Sequence, residues 1–460
     1  MNIKNTVLLF RNNLPPKIRH IGTCYQQVHD FYKEAQWWPR TKIEEWQLKR
    51  IQQVVRFAYD NTVGYHQLYD EAHVRPEDIR TIDSILLLPF TDKALLRDNV
   101  KEFTINGGCN RSLFKTTTGG STGIPFAFYV DRKNADAEYS FMYNAWESIG
   151  WKETDWGIKL RGAHLGDAEH LMKKIGYHEY ALSSSFMTEE NYEHYMQLIE
   201  NSKTTYLHVY PSTLADLSHL IINHHDEGRL KIEHVFLGSE NLYEWQKILI
   251  KQAFPKTRLM SWYGHSERAI WAPWCEHEER YHLNPFYGYN EILRGDRLVN
   301  EGEVGELVGT AFWMFGTPFI RYRTNDFAEK GPNCCEKCGR QFQLLNHIDG
   351  RLSEIIIGNT GRRISLTVFA GSIMHGNVFD HIKQFRFVQH EAGKLQLSII
   401  PTDDYDNEDE MHLSDAVKAF LGDDFIFEII KVESLSKTKS GKFSYLEQHL
   451  PIDRADNLTY

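Results

Sequence analysis

Between Trp156 and Thr310 the chain alternates short runs of β-branched and aromatic residues with segments of helical periodicity, and that alternation constrains its fold more than any other feature. Tyr206 to Tyr210 reads as a strand, Leu214 to Asn223 as a helix and Val235 to Leu237 as a strand. Leu242 to Ala253 then reads as a helix and Arg258 to Tyr263 as a strand. Strands joined through helices form βαβ units, because a parallel partner can be reached only by a long crossover. A largely parallel sheet is expected, with ligands outside the carboxyl ends of its strands. After Gly350 the texture changes to strands at Phe385 to Gln389, Leu395 to Ile400 and Phe425 to Val432, around a helix near Ser414 to Leu421. The predicted fold class is α/β: an N-terminal body over residues 1–350 with βαβ-type sheets, plus a small C-terminal α+β domain over 351–460.

Other segments add scaffold. Leu48, Ile51, Val55 and Ala58 step by three and four, which predicts an amphipathic helix over Lys42 to Tyr59. The acidic stretch Asp403 to Glu410 reads as a solvated loop. The balance of 52 basic against 62 acidic residues gives a net charge of −10, which argues against affinity built on neutralising nucleic-acid phosphates. No run approaches the ~18 apolar residues of a membrane span, and Met1 to Arg19 lacks a secretory apolar region, so no membrane insertion and a cytoplasmic location are expected. The cysteines Cys24, Cys109, Cys275, Cys334, Cys335 and Cys338 make a poor disulfide framework in a chain this long, and read as reduced thiols.

Five short segments carry polar chemistry. Thr116-Thr117-Thr118-Gly119-Gly120-Ser121-Thr122-Gly123-Ile124-Pro125 combines three glycines with five hydroxyls. Glycines let backbone N–H groups approach an anion closely, and hydroxyls add donors, so the loop suits a triphosphate. It is not a Walker A loop, since Ile124 and Pro125 follow Gly123. Trp262-Tyr263-Gly264-His265-Ser266-Glu267 ends a predicted strand with an aromatic to stack on a purine and a carboxylate suited to magnesium. In Arg321-Tyr322-Arg323-Thr324-Asn325-Asp326 and Asp349-Gly350-Arg351-Leu352-Ser353-Glu354, Asp326 can accept from two ribose hydroxyls and Arg351 can add a charge-assisted contact. Each could equally be a surface ion pair. The fifth, Leu435-Ser436-Lys437-Thr438-Lys439-Ser440-Gly441-Lys442-Phe443, places a lysine on a turn able to enter a site and stabilise developing negative charge.

In order and spacing these blocks resemble the adenylate-forming superfamily of acyl-coenzyme A ligases, and within it the phenylacetate-coenzyme A ligase-like branch. Phe57-Ala58-Tyr59-Asp60-Asn61 with Tyr65, Leu88-Pro89-Phe90-Thr91-Asp92-Lys93, Gly302-Glu303-Val304-Gly305-Glu306-Leu307-Val308 and Pro318-Phe319-Ile320-Arg321-Tyr322 extend the likeness over most of the chain. The resemblance implies ATP-dependent, AMP-forming activation of a small carboxylic acid, with ATP and Mg2+ as cofactors. The acceptor it implies is coenzyme A, or alternatively an amine or hydroxyl such as an amino sugar in surface-polysaccharide assembly. A nucleotide-binding scaffold that has lost catalysis is the reading from another class. By the same resemblance Thr118, Gly119, Gly120, Ser121, Thr122 and Gly123 cradle phosphates, and Gly238, Ser239 and Glu240 line the adenine pocket. Tyr263, beside Gly264 and Ser266, stacks on adenine, Glu267 ligates magnesium, and Asp326 holds the ribose with Arg351 beside it. Lys442 is the lysine of adenylation, and Ser353 the hinge about which the small, mobile domain rotates.

Two departures stand out: Asn325 replaces the usual glycine, and Ser353 the commoner acidic hinge residue. Cys335-Glu336-Lys337-Cys338 has zinc spacing. With Cys275 and His282 it would complete a structural zinc site of the kind some members of the branch carry, Cys334 or His277 being substitutes. Tyr210, Trp262, Ile270 and Trp271 are candidates for the acyl pocket or for plain core.

Overall fold

A computed structural model describes residue 14 and residues 23–450, apart from 110–111, 118–125, 162–171, 177, 185–186, 352–353, 374–377, 380 and 438–441. Its centre is a sheet of thirteen strands among the described residues. Five strands form a parallel half: β1 (Gly157–Arg161), β2 (Glu179–Ser183), β3 (Tyr206–Val209), β4 (His234–Gly238) and β5 (Arg258–Gly264). They lie in the order β5-β4-β3-β1-β2, with Met172–Gly176 on the edge. β3 and β4 are buried along their whole length, as strands covered on both faces must be. Helices α1 (Pro211–Asn223) and α2 (Glu244–Ala253) supply the crossovers, matching the predicted rhythm to within a few residues.

Beyond β5 the expected parallel sheet does not continue. β6 (Trp271–Cys275), β7 (Glu278–His282), β8 (Gly288–Arg294), β9 (Val304–Ala311), β10 (Tyr322–Lys330) and β11 (Leu344–Arg351) pair antiparallel, in the order β8-β9-β10-β11-β7-β6. The reason is connection length. β6 and β7 are joined by only two residues, Glu276 and His277, and a turn that short reverses the chain. The two halves meet where β5 pairs with β6, Trp262 facing Pro273 and Tyr263 facing Ala272.

The predicted N-terminal helix spans Arg40–Asn61, burying Ile51, Val55 and Ala58 as its spacing requires. Tyr65 Oη donates to the Pro318 carbonyl at 2.9 Å and accepts from Ile320 N–H at 3.1 Å, and Thr91 bridges to Tyr322. Segments more than two hundred residues apart are thereby stitched to the approach to β10.

The C-terminal domain is a separate sheet ordered β14-β13-β12-β15, from β12 (Ile382–Glu391), β13 (Lys394–Pro401), β14 (Ile426–Lys431) and β15 (Leu446–Gln448). Leu413, Val417 and Leu421 of helix α3 (Asn407–Leu421) pack into its core with Phe387, Leu397 and Ile399. Helix α3 corrects one expectation: the acidic stretch is a loop only as far as Asp406, which caps the helix. Asp406 accepts from the N–H groups of Glu408 and Asp409, and Glu408, Asp409 and Glu410 fill the first turn. Carboxylates are favoured there because a helix N-terminus carries partial positive charge. No helix among the described residues is long and apolar enough to cross a membrane.

Candidate functional site

The ribose-block aspartate is aimed by an irregularity in its strand. Between its pairings with Glu306 and Val308 the β9–β10 register shifts, and the extra residues of a bulge redirect the side chains it carries. Asn325 sits there at φ +60°, its N–H donating to Glu306 at 3.1 Å. Left-handed backbone favours glycine and, after it, asparagine. This is why asparagine can stand where the resemblance leads one to expect glycine. Asp326 pairs with Arg351 across β10 and β11. Its Oδ1 accepts from Arg351 Nε at 3.2 Å and its Oδ2 from Tyr263 Oη at 2.6 Å. A carboxylate has about four acceptor positions, so two remain for incoming hydroxyls. Tyr263 is raised well above the usual tyrosine range, by burial and then by the charge of Asp326, which keeps it a donor.

Beyond Gly264, which ends β5, Ser266 is exposed in the turn and Glu267 points inward. Glu267 accepts from Tyr322 Oη at 2.9 Å and faces His265 Nδ1 at 3.2 Å. Burial pushes its carboxyl up, but His265, its own backbone and Tyr322 outweigh that and hold it at about 2. Lys93 lies within electrostatic reach of Glu267 and Arg351, and burial lowers it. Tyr322 and Lys93 were visible only as parts of family blocks, without a separate signal of their own.

At the end of β4, Gly238 is buried where a Cβ would stand 2.6 Å from the Trp262 ring. Ser239 follows at φ +72° with its side chain exposed, and Glu240 is half-buried. Lys442 reaches this segment from the C-terminal domain, its Nζ donating to the Ser239 carbonyl at 2.9 Å and lying 5.6 Å from the Tyr210 ring centre. Beside it Asn241 Nδ2 donates to Glu354 Oε2 at 2.8 Å, and burial lifts Glu354 to about 7. Asn241 and Glu354 are 113 residues apart, and neither has a local pattern that would have paired them.

Tyr263, Asp326 and Arg351 are therefore in contact, and Lys442 meets Ser239. Thr118, Gly119, Gly120, Ser121, Thr122 and Gly123 lie outside the described residues, as does Ser353. The strands flanking the phosphate-loop candidate, Leu113–Thr117 and Ala127–Asp131, pair antiparallel. Of the acyl-pocket candidates, Ile270 and Trp271 are core, while Trp262 is half-buried.

The cysteine cluster is geometrically distinct. Cys275 ends β6, His282 ends β7, and Cys335 and Cys338 lie between β10 and β11, with one ligand atom from each within 4.8 Å of all the others. Cys275 Sγ is 3.8 Å from Cys335 Sγ, and Cys338 Sγ is 3.6 Å from His282 Nε2. A tetrahedral zinc with bonds of ~2.3 Å to sulfur and ~2.05 Å to nitrogen has edges of about 3.8 and 3.6 Å. The donor set and these two edges fit the ion. The neighbouring Cys338 and burial raise Cys275, burial raises Cys335, and the neighbouring Cys275 and His282 lower Cys338. One thiolate is thus favoured within the cluster.

Against known proteins, residues 356–449 match the family described as the CapK C-terminal domain. A phenylacetate-coenzyme A ligase from Pseudomonas putida is 24% identical over 335 residues, 68% of this chain and 72% of that one. Protein CapK from Staphylococcus aureus is 20% identical over 405 residues, 86% of this chain and 87% of that one. Among solved structures, 2-hydroxyisobutyryl-CoA ligase in its postadenylation state overlays with a TM-score of 0.72 at 18% identity, covering 95% of this chain and 94% of that one. The same ligase in its thioesterification state overlays at 0.57, again with 18% identity and over the same shares. The fold is that of an adenylate-forming ligase. The chain is thus similar in sequence to phenylacetate-coenzyme A ligases and in fold to 2-hydroxyisobutyryl-CoA ligase.

Proposed function

We propose that the protein uses ATP to convert a carboxylic acid into an acyl-adenylate and passes the acyl group to coenzyme A. The observation that carries this reading is the joint placement of Tyr263, Asp326 and Arg351, with Lys442 reaching the end of β4 from the C-terminal domain. In this reading the loop Thr118 to Gly123 holds the phosphates. Gly238, Ser239 and Glu240 border the adenine, against which Tyr263 stacks. Asp326 takes the ribose hydroxyls on its free acceptor positions. Glu267 would hold magnesium, which would supply positive charge toward the phosphates. The substrate carboxylate oxygen attacks the α-phosphorus and pyrophosphate leaves. A thiol then attacks the acyl carbon and AMP leaves. Neither step needs a protein nucleophile, so the side chains contribute orientation and charge stabilisation, with Lys442 facing the developing charge. The C-terminal domain, from about residue 351, serves as a lid turning near Ser353. The better overlay with the postadenylation state is consistent with a lid seated over the nucleotide. A cytosolic location belongs to the same reading.

A second reading keeps the adenylation and passes the acyl group instead to an amine or hydroxyl, such as that of an amino sugar in surface-polysaccharide assembly; the likeness to CapK, whose name specifies no acceptor, leaves room for it. A pyrophosphate-release screen over aryl, fatty, hydroxy and amino acids, with and without coenzyme A, tests both. Acid-dependent release with thioester formation supports the first, and release without thioester the second. Nucleotide binding with no release on any acid would defeat both.

The cysteine cluster is assigned a structural zinc on the strength of its donor set and edge lengths. It would tie the β6–β7 hairpin to the loop before β11. Metal analysis of the untagged protein should return about one zinc per chain, and chelation should lower its melting temperature. Metal-free protein as purified, with unchanged melting, would remove the assignment.

A further inference from the structure

The loop that carries Lys442 is fastened to the body on both sides by one helix. Upstream of it, Lys437 Nζ pairs with Asp216 of α1 at 2.6 Å. Downstream, Phe443 N–H donates to Glu240 Oε1 at 3.3 Å, and the other oxygen of that carboxylate accepts from Ser212 N–H at 3.1 Å. Ser212 lies in the first turn of α1, where backbone N–H groups have no partner within the helix and the helix dipole favours an anion. A single carboxylate therefore joins the helix terminus to the backbone next to Lys442, whose amine rests on the carbonyl one residue before Glu240. Past Phe443, the ring of Tyr445 packs 5.4 Å from Tyr243 and 5.6 Å from Trp245, and Gln246 Nε2 donates to its hydroxyl at 3.2 Å. The segment 238–246 thus presents a polar clasp and an aromatic socket to the same stretch of the C-terminal domain.

We propose that Glu240 is a positioning residue that seats Lys442 for adenylation by gripping the N–H of Phe443, in addition to any contact it makes with adenine. The consequence for catalysis rests on the function proposed above, whereas the grip itself does not. Without the carboxylate the lysine loses a backbone anchor one residue away, and small displacements of a charged group weaken its action steeply. Burial raises the Glu240 carboxyl and Lys442 opposes it, so the carboxylate and the lysine sense one another.

Two readouts on the full-length protein test this. Hydrogen–deuterium exchange should show the Phe443 amide protected with ATP and magnesium present, and that protection should be lost in Glu240→Ala and largely kept in Glu240→Gln, whose amide oxygen still accepts. With an acid found by the screen, Glu240→Ala should slow pyrophosphate release roughly 10- to 100-fold while leaving the KM for ATP within about threefold, with Glu240→Gln intermediate. Unchanged Phe443 protection in Glu240→Ala would overturn the clasp. A raised KM for ATP with unaltered kcat would also overturn it, reducing Glu240 to an adenine contact. The predicted exchange pattern in a wild-type protein that releases pyrophosphate with no acid would keep the clasp and sink the function.

Discussion

The ribose corner and the lysine loop are both built from polar contacts, yet they are fixed in opposite ways. Asp326 is set by the register of a wide sheet. Below it the Arg321 guanidinium is buried in a bidentate pair with Glu291, at 2.7 and 3.1 Å, and donates to the carbonyls of Leu86 and Leu88. Phe90 lies 3.9 Å from the same guanidinium. Lys442, by contrast, is held through one carboxylate, one partly exposed ion pair and a patch of rings, all between the C-terminal stretch around residues 437–445 and helix α1 or the segment between β4 and α2. The first arrangement cannot shift without unfolding the sheet. The second can be undone a contact at a time, which suits the lid motion proposed for this domain.

The sharpest break in that contrast is Arg321→Ala. It leaves Glu291 buried without its partner, and should cost about 3–5 kcal/mol in urea unfolding. Lys442→Ala, on the C-terminal side, should leave stability and ATP binding nearly unchanged. It should reduce acid-dependent pyrophosphate release by the equivalent of about 2.7–4 kcal/mol.

A third test uses pH. Glu354 faces Asn241 across the two regions, and its carboxyl is raised by burial from 4.5 to about 7, with Arg351 opposing and Asp326 and Glu240 reinforcing. The folded state therefore keeps a proton that the unfolded chain releases between about pH 4.5 and 7. Stability from this group is full below that window, falls as pH rises through it, and stays reduced above it. Glu354→Gln, a permanent stand-in for the neutral acid, should flatten that dependence and be more stable than wild type at pH 8 by about 2 kcal/mol, allowing for partial exposure. Asp216→Asn, which removes a partly exposed ion pair, should change stability by only about 0.5 kcal/mol and pyrophosphate release by less than twofold. An effect as large as that of Glu240→Ala would mean that the outer ion pair, not the clasp, seats the loop.

The two regions also differed in how far the sequence disclosed them. The alternation ending at Tyr263 placed the parallel strands and α1 and α2 nearly in full, because strands buried on both faces and their crossover helices have distinct periods. The antiparallel half was missed: the turn Glu276-His277 carries no glycine or proline to announce a hairpin, and the one that does, Gly295-Asp296, leads into a strand of only two residues, Arg297–Leu298. The acidic stretch was read as a loop because charge alone does not separate a solvated loop from the first turn of a helix. Asp326, Tyr263 and Glu267 were legible as family blocks. Their supports were not: the Tyr322 hydroxyl on Glu267, the bulge at Asn325 and the Asn241–Glu354 contact depend on register and on packing between distant segments.

In the function proposed above, Tyr263, Asp326 and Arg351 mark the nucleoside end of one ATP site that Lys442 enters from the other domain. The most direct measurement is an experimental structure of the protein soaked with AMP. The ribose hydroxyls should lie within hydrogen-bond distance of Asp326, with adenine against the Tyr263 ring and the end of β4. A nucleotide bound elsewhere, or no density beside Asp326 at a concentration that saturates binding in solution, would contradict it.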